Sequence, residues 1–383
     1  MYYIIKTFGC QMNFSDSERI MTFMEENGFT KLKNSDNYKL KTKEIIKADL
    51  IIFNTCGVRA SAEHRVFGQI NNILKLAKKE DKQTKIIITG CSAHRKDFQR
   101  ALKGKVDLFT SIKNFQKEVK KLNLLSQEQQ EYEDYLSIQP NYTRTDSVTI
   151  PIMTGCNNFC SYCVVPYARG REWSRPIEEI IKEIEGLDSK GYKEVTLLGQ
   201  NVNSYKYKLS VDSQQFADKI TKNTDGIKFP ILLDILAKQF PKITFKFLTS
   251  HPKDLSDDLI EVVKNNKNIP NEIHLPVQSG SDKVLKDMNR PYTQKQYLTL
   301  TKKIKKEIPS IKITTDVIIG FPTETDEDFL ETAKVFKEVG FSKAFLNKYS
   351  PRPETSAFRL EDPVPWDTKK EREKILLDLL EKS

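Results

Sequence analysis

Three thiols fall within eight residues of one short stretch. Residues 151–175 read PIMTGCNNFCSYCVVPYARGREWSR, which sets Cys156, Cys160 and Cys163 in a C-x3-C-x2-C run. The chain of 383 residues holds only six cysteines, and composition alone gives such a run on the order of once in a thousand chains. The spacing therefore points to ligand chemistry. A structural zinc ion takes four tetrahedral ligands, and His64, His94, His251 and His274 all lie far from the run. An iron–sulfur cluster accepts three soft thiolates and leaves one iron open to a further ligand. The cluster is the better fit, because cysteines that merely fill a core have no reason to share one loop.

The other three cysteines each close an apolar run: YYIIKTFGC at 2–10, DLIIFNTC at 49–56 and KIIITGC at 85–91. Such runs read as buried strands. A helical pattern follows each one: after Cys10 with Ser15 or Asp16 as its cap, from about Ser61 to Lys79, and after Ala93. Strands alternating with helices predict an open parallel sheet, whose ligands gather at the carboxyl ends of the strands. Cys10, Cys56 and Cys91 should then meet at one edge, with Gly9, Gly57 and Gly90 allowing tight turns beside them. Taken alone, these residues leave two readings open, a second cluster or three core cysteines.

Past residue 110 the pattern weakens, and SQEQQEYEDYLSI at 126–138 is polar and reads as a connector. Six further strands are predicted at 147–153, 194–198, 243–248, 272–277, 312–319 and 343–348. Helices include 177–189, 255–265, 293–307 and 325–339. Six β-α units predict a partial (βα)6 TIM-like barrel, with chemistry at the strands' carboxyl ends. The fold class is thus α/β: an N-terminal open parallel-sheet α/β domain at 1–125, a connector at 126–144, a partial barrel at 145–365 and a C-terminal helix at 366–383. Gln200, Asn201, Ser250 and Gln278 lie in loops after strands and are candidate polar groups for a ligand. Arg169, Arg171 and Arg175 suit either an anionic ligand or ordinary ion pairs. Residues 206–228 form a polar insertion with no assigned role.

Hydrophobic residues make up 38% and charged residues 30% of the chain, a globular composition. No apolar run reaches the roughly 20 residues of a membrane span. The start, MYYIIKTFGC, reads as a strand rather than a leader, so a cytoplasmic location is expected. A formal net charge of +10 fits a polyanionic partner and a solvated lysine surface about equally.

C-x3-C-x-aromatic-C, with Tyr162 as the aromatic, resembles the signature of the radical S-adenosylmethionine (SAM) enzymes. TFGCQMNFSDSE at 7–18, NTCGVRASAE at 54–63, TGCSAHR at 89–95, LLGQNVNSY, HLPVQSGSD and TTDVIIGFPTET together resemble the methylthiotransferases of that superfamily. Gln11, Met12 and Asn13 are similar to the MiaB type, which acts on tRNA; Ala60 stands where a glutamate is expected. The resemblance covers residues 1 to about 360. It implies two [4Fe-4S] clusters, one on Cys156, Cys160 and Cys163 that cleaves SAM, and one on Cys10, Cys56 and Cys91 that carries sulfur. It further implies a methylthio group added to C2 of N6-isopentenyladenosine at position 37, in the tRNA anticodon loop. Tyr162, Gln200, Gly320 and Glu324 are implied to lie along SAM, and a flavodoxin or ferredoxin to supply electrons. Other branches of the family, a redox-sensing binding protein and an incomplete fragment are the alternatives. Family members usually continue into a small RNA-binding β-barrel, the TRAM module, which is not expected before Ser383. The resemblance says nothing of oligomeric state.

Overall fold

The computed structural model describes residues 1–32, 42–57, 60–122, 124, 132, 134–142, 147–208 and 226–381. They form two compact units, Met1–Thr145 with Val164–Gly170, and Asp146–Cys163 with Arg171–Ser383.

The first unit runs β1 (Tyr2–Phe8), α1 (Gln11–Glu26), β2 (Thr30–Lys31), α2 (Thr42–Lys47), β3 (Leu50–Thr55), α3 (Ala60–Lys79), β4 (Lys85–Gly90), α4 (Lys96–Ala101), β5 (Leu108–Phe109) and α5 (Phe115–Lys120). All five strands are parallel, in the order β2-β1-β3-β4-β5. The strands LIIFNT and KIIITG are apolar almost throughout because helices cover both faces of such a sheet. α3 turns Val66, Ile70 and Ile73 onto Ile51, Phe53, Ile86 and Ile88, the helical spacing that buries one stripe.

Ser15 and Asp16, expected as caps of the first helix, are instead buried inside α1, which starts at Gln11 with Cys10 in the N-cap position. Interior contacts claim both side chains: Ser15 accepts from Arg19 at 2.9 Å, and Asp16 pairs with Arg169 at 2.6 Å. Arg169 ends a short helix, α6 (Val165–Arg169), that folds with this unit. Part of the stretch expected to connect the domains also packs here. Tyr135, Leu136 and Ile138 are buried, and the Asn141 amide donates to Thr22 Oγ1 at 2.9 Å. The rest of the connector, residues 126–131, 133 and 143–144, lies outside the described residues.

The second unit contains β6 (Ser147–Pro151), a small ribbon of β7 (Met153–Thr154) with β8 (Trp173–Ser174), α7 (Ile177–Ser189), β9 (Glu194–Leu198), and a hairpin of β10 (Lys206–Tyr207) with β11 (Ile227–Lys228). Then come α8 (Phe229–Gln239), β12 (Thr244–Phe247), α9 (Asp257–Asn265), β13 (Glu272–His274), α10 (Asp282–Asp287), α11 (Gln294–Glu307), β14 (Lys312–Ile319), α12 (Asp326–Val339), β15 (Lys343–Lys348) and α13 (Trp366–Glu381). The six predicted barrel strands are all present, as two three-stranded parallel sheets, β12-β9-β6 and β13-β14-β15. The helices start where capping chemistry lies: Ser256 caps α9, Ser281 caps α10, and Thr293 and Thr325 form capping boxes with Gln296 and Asp328. Between β10 and β11, residues 209–225 of the polar insertion lie outside the described residues.

Two glycines of the first unit give opposite expectations. Gly90 sits at φ +86°, and a Cβ there would fall 2.4 Å from Asn54 Oδ1 and 2.5 Å from Thr55 O. Gly68 lies mid-α3 with open space around it. Gly90→Ala is expected to destabilise the protein by about 2 kcal/mol or more. Gly68→Ala should stabilise it by about 0.5–1 kcal/mol. Urea unfolding followed by circular dichroism checks both signs.

Candidate functional site

In the first unit, sheet register fixes where the three cysteines end up. Phe8 pairs with Thr55, and Thr55 with Gly90. Cys10, Cys56 and Cys91 therefore follow three adjacent strands at one carboxyl edge. The turns are interlocked. The Cys56 amide donates to Phe8 O at 2.7 Å, Ser92 Oγ donates to Cys56 O at 2.9 Å, and a Cβ on Gly57 would lie 2.9 Å from Cys91 O. The buried amide of Asn54 ties this edge to α1: it donates to Asn13 O at 2.8 Å and Ser17 Oγ at 2.9 Å, and accepts from Asn13 Nδ2 at 2.8 Å. Asn13 Oδ1 in turn accepts from the Cys10 thiol at 3.3 Å. Cys10 thus sits at the N-terminus of a 16-residue helix, whose dipole favours negative charge.

Burial pushes the Cys91 thiol up, and the Arg169 guanidinium beside it partly offsets that. Arg169 is itself buried, with Nη2 on Asp16 and Nη1 unpartnered; the hydroxyls of Thr55 and Thr89, one and two residues before Cys56 and Cys91, are also buried without partners. Hydroxyl and guanidinium donors beside three cysteines that form no disulfide suit a large anionic sulfur group.

In the second unit, Cys156, Cys160 and Cys163 follow Gly155, which turns the chain at φ +79°. The loop is pinned to the end of α10 and the residues after it. Ser161 donates its amide to Met288 O at 3.0 Å and its hydroxyl to Asp287 O at 2.8 Å; Asn289 Nδ2 donates to Phe159 O at 2.7 Å; and Arg290 Nη1 points at Cys160 Sγ, 3.6 Å away. The Asn158 amide donates to Cys156 Sγ at 3.4 Å. Sulfur atoms that receive N–H groups are suited to hold a cluster. Among the described residues, no three His, Cys, Asp or Glu side chains gather tightly enough for one metal ion. A four-iron cluster asks for something else, three cysteines that each reach a separate iron.

The other candidates divide. Tyr162 is half-buried and packs on the cluster of Val284, Met288, Phe321, Tyr349 and Ala357, so it shares a neighbourhood with the Gly320–Glu324 turn. That turn is closed internally: Glu324 accepts from Gly320 N at 2.8 Å and pairs with Arg372 of α13 at 2.5 Å. Gln200 Oε1 is buried and unpartnered. Asn201 donates to Asp254 at 2.6 Å, and Ser250 to Asn203 at 3.1 Å. Thr249 (φ +67°), Gln278 (φ +65°) and Asn289 (φ +54°) hold left-handed backbone, three of five such non-glycine positions among the described residues. Strain of this kind collects at ligand sites. Of the arginines, Arg169 and Arg175 are in buried ion pairs, Arg175 with Glu179 and Glu183, while Arg171 lies 5.0 Å over the Phe159 ring. Sequence reasoning missed Asn289, Arg290 and His251, since their roles arise only from tertiary contact.

The radical SAM superfamily matches residues 150–336, and a family described as uncharacterized protein family UPF0004 matches residues 2–111. The first match defines the class: a radical SAM protein, of the kind that uses SAM and a [4Fe-4S] cluster. Two relatives called tRNA-2-methylthio-N(6)-dimethylallyladenosine synthase align over 99% of the chain. That of Clostridium perfringens strain SM101 is 42% identical, with 82% of its length covered; that of Parabacteroides distasonis is 40% identical, with 80% covered. The chain belongs to this synthase family. Among solved structures, the radical SAM methyltransferase TsrM from Kitasatospora setae aligns at TM-score 0.63 and 13% identity, covering 93% of this chain and 75% of that one. The cobalamin-dependent OxsB aligns at TM-score 0.59 and 11% identity, covering 100% and 56%. These two share the fold alone.

His251 gives the site a pH signature. Burial, reinforced by Arg290 and Lys253, lowers its pKa to about 2, and its Nδ1 accepts the Lys253 amide at 3.3 Å. The folded protein keeps this ring neutral, whereas the unfolded chain protonates it below about pH 6.5. The stability gained from neutral His251 is full above pH 6.5 and is lost as pH falls below it, by about 1.4 kcal/mol per pH unit. His251→Asn keeps an acceptor and removes the titration. Its unfolding free energy should fall less steeply than the wild type's between pH 7 and 5.5.

Proposed function

We propose that this chain adds a methylthio group to C2 of N6-isopentenyladenosine at position 37 of tRNA. The observation that carries this reading is the register bringing Cys10, Cys56 and Cys91 to one strand edge, in a chain 42% identical to a named synthase. SAM cleavage alone needs one three-cysteine loop. A second set gives a reason for sulfur chemistry.

The clusters and SAM supply, when bound, a carbon-centred radical and a methylated sulfur, which an aromatic C–H demands because it offers neither an acidic proton nor a leaving group. The protein's share is placement. Cys156, Cys160 and Cys163 hold one cluster and leave an iron open for SAM, while the segment Asp287–Arg290 keeps their loop in place. Cys10, Cys56 and Cys91 hold the other, fixed by the Asn13–Asn54 clamp. Tyr162, Gln200 and the Gly320–Glu324 turn shape the SAM side, with Glu324 acting through the turn it closes. A formal net charge of +10 suits tRNA phosphates. A one-electron donor of the flavodoxin or ferredoxin class fits the electron requirement. Among the described residues no helix is long and apolar enough to cross a membrane, and we assign the work to the cytoplasm.

Mass spectrometry of tRNA nucleosides, from cells relying on this chain or on its Cys160→Ala variant, tests the reading. The 2-methylthio derivative of isopentenyladenosine is expected with the wild type and should fall about a hundredfold or more in the variant, since even the loss of a ligand's outer partner reaches that size. A methylthio group found instead on threonylcarbamoyladenosine, or on a ribosomal protein, would move the chain to another branch.

A further inference from the structure

Four of the buried arginines in this protein are paired with carboxylates. Arg95 faces Glu63 and Asp97, Arg169 faces Asp16, Arg175 faces Glu179 and Glu183, and Arg372 faces Glu324 and Asp326. Arg290 is 7% exposed and meets no carboxylate among the described residues. Its Nε donates to Tyr292 OH at 3.1 Å, its Nη2 to Pro276 O at 3.1 Å, and its Nη1 to Cys160 Sγ at 3.6 Å, with the guanidinium 5.2 Å from the Tyr292 ring centre. Burial raises the Tyr292 phenol, so that neighbour stays neutral. A buried cation without an anion is costly, and the site compensates only if something negative occupies it. Burial raises the Tyr162 phenol as well, so among the described residues the contact left to carry negative charge is the Cys160 sulfur.

We propose that Arg290 is the counter-charge of the cluster held by Cys156, Cys160 and Cys163, and that by donating an N–H to the Cys160 sulfur it favours the reduced cluster. The proposal rests on the reading of those cysteines as cluster ligands. One electron from a low-potential donor makes the cluster more negative by one charge, with no bond made or broken. A fixed positive charge and an N–H···S contact stabilise that extra charge and raise the reduction potential. Arg290 is a positioning and tuning residue, since it acts through Cys160. Its backbone setting supports this: Asn289 holds left-handed backbone just before it and bonds Phe159 O, so the arginine and the cluster loop are fixed together.

The test is an anaerobic redox titration of reconstituted full-length protein, followed by electron paramagnetic resonance. The cluster in question is the one whose signal changes when SAM is added; the SAM-insensitive signal is the internal control. In Arg290→Gln the ratio of reduced to oxidised cluster at fixed potential should fall about tenfold, equivalent to about 59 mV for one electron, while the control signal keeps its midpoint. Arg290→Lys, which retains the charge, should lie nearer the wild type. A loaded Gln variant with an unchanged midpoint would overturn the proposal. If the Gln variant fails to load, the Lys variant must load to wild-type iron content; loss of the cluster from both, in chains that remain folded by circular dichroism, shows a packing role and also overturns it. A wild-type protein lacking any SAM-sensitive signal would instead sink the cluster reading, and the proposal with it.

Discussion

Backbone hydrogen bonding among β1, β3 and β4 is the constraint on which the first unit's chemistry depends. Parallel strands cannot slip by one residue without turning every side chain to the other face, and the strongly apolar LIIFNT and IIIT runs hold them in place. Because Phe8, Thr55 and Gly90 are locked level, the residues beyond them are locked as well. Cysteines separated by tens of residues become neighbours as a result. The Asn13–Asn54 clamp then fixes the one turn that register does not, the step from β1 into α1.

The second unit solves the same problem locally. Its three cysteines come from one loop, so the chain supplies proximity and the fold must supply rigidity. That rigidity comes from Asp287–Arg290, whose carbonyls, amide and guanidinium hold Phe159, Cys160 and Ser161. Charge compensation differs between the units too. Arg169 reaches the Cys91 edge already paired with Asp16, whereas Arg290 reaches Cys160 unpaired. The same residue type therefore presents a nearly neutral dipole in one place and a full positive charge in the other.

The sequence made the strands, the six cysteines and the parallel topology legible because each leaves a local mark: an apolar run, a spacing or a repeated strand-then-cysteine pattern. All six barrel strands and the helix at 177–189 follow from such marks. The first helix shows the limit. Ser15 and Asp16 look like caps in sequence, yet Asp16 serves Arg169, 153 residues away. Arg175 suits an anionic ligand in sequence and is instead paired with Glu179 and Glu183 of α7. Arg290 and Asn289 left no signal, because what they do depends on a loop 130 residues earlier. Long-range side-chain pairing was the missing information throughout.

Two separate clusters in one chain are the core of this account. Iron and sulfide counted per chain after anaerobic reconstitution test them most directly, comparing the wild type with variants in which Cys10, Cys56 and Cys91, or Cys156, Cys160 and Cys163, are all changed to Ala. About eight irons are expected in the wild type and about four in each variant, with release of 5′-deoxyadenosine surviving only when Cys156, Cys160 and Cys163 are intact. About four irons in the wild type, unchanged when Cys10, Cys56 and Cys91 are replaced, would contradict it.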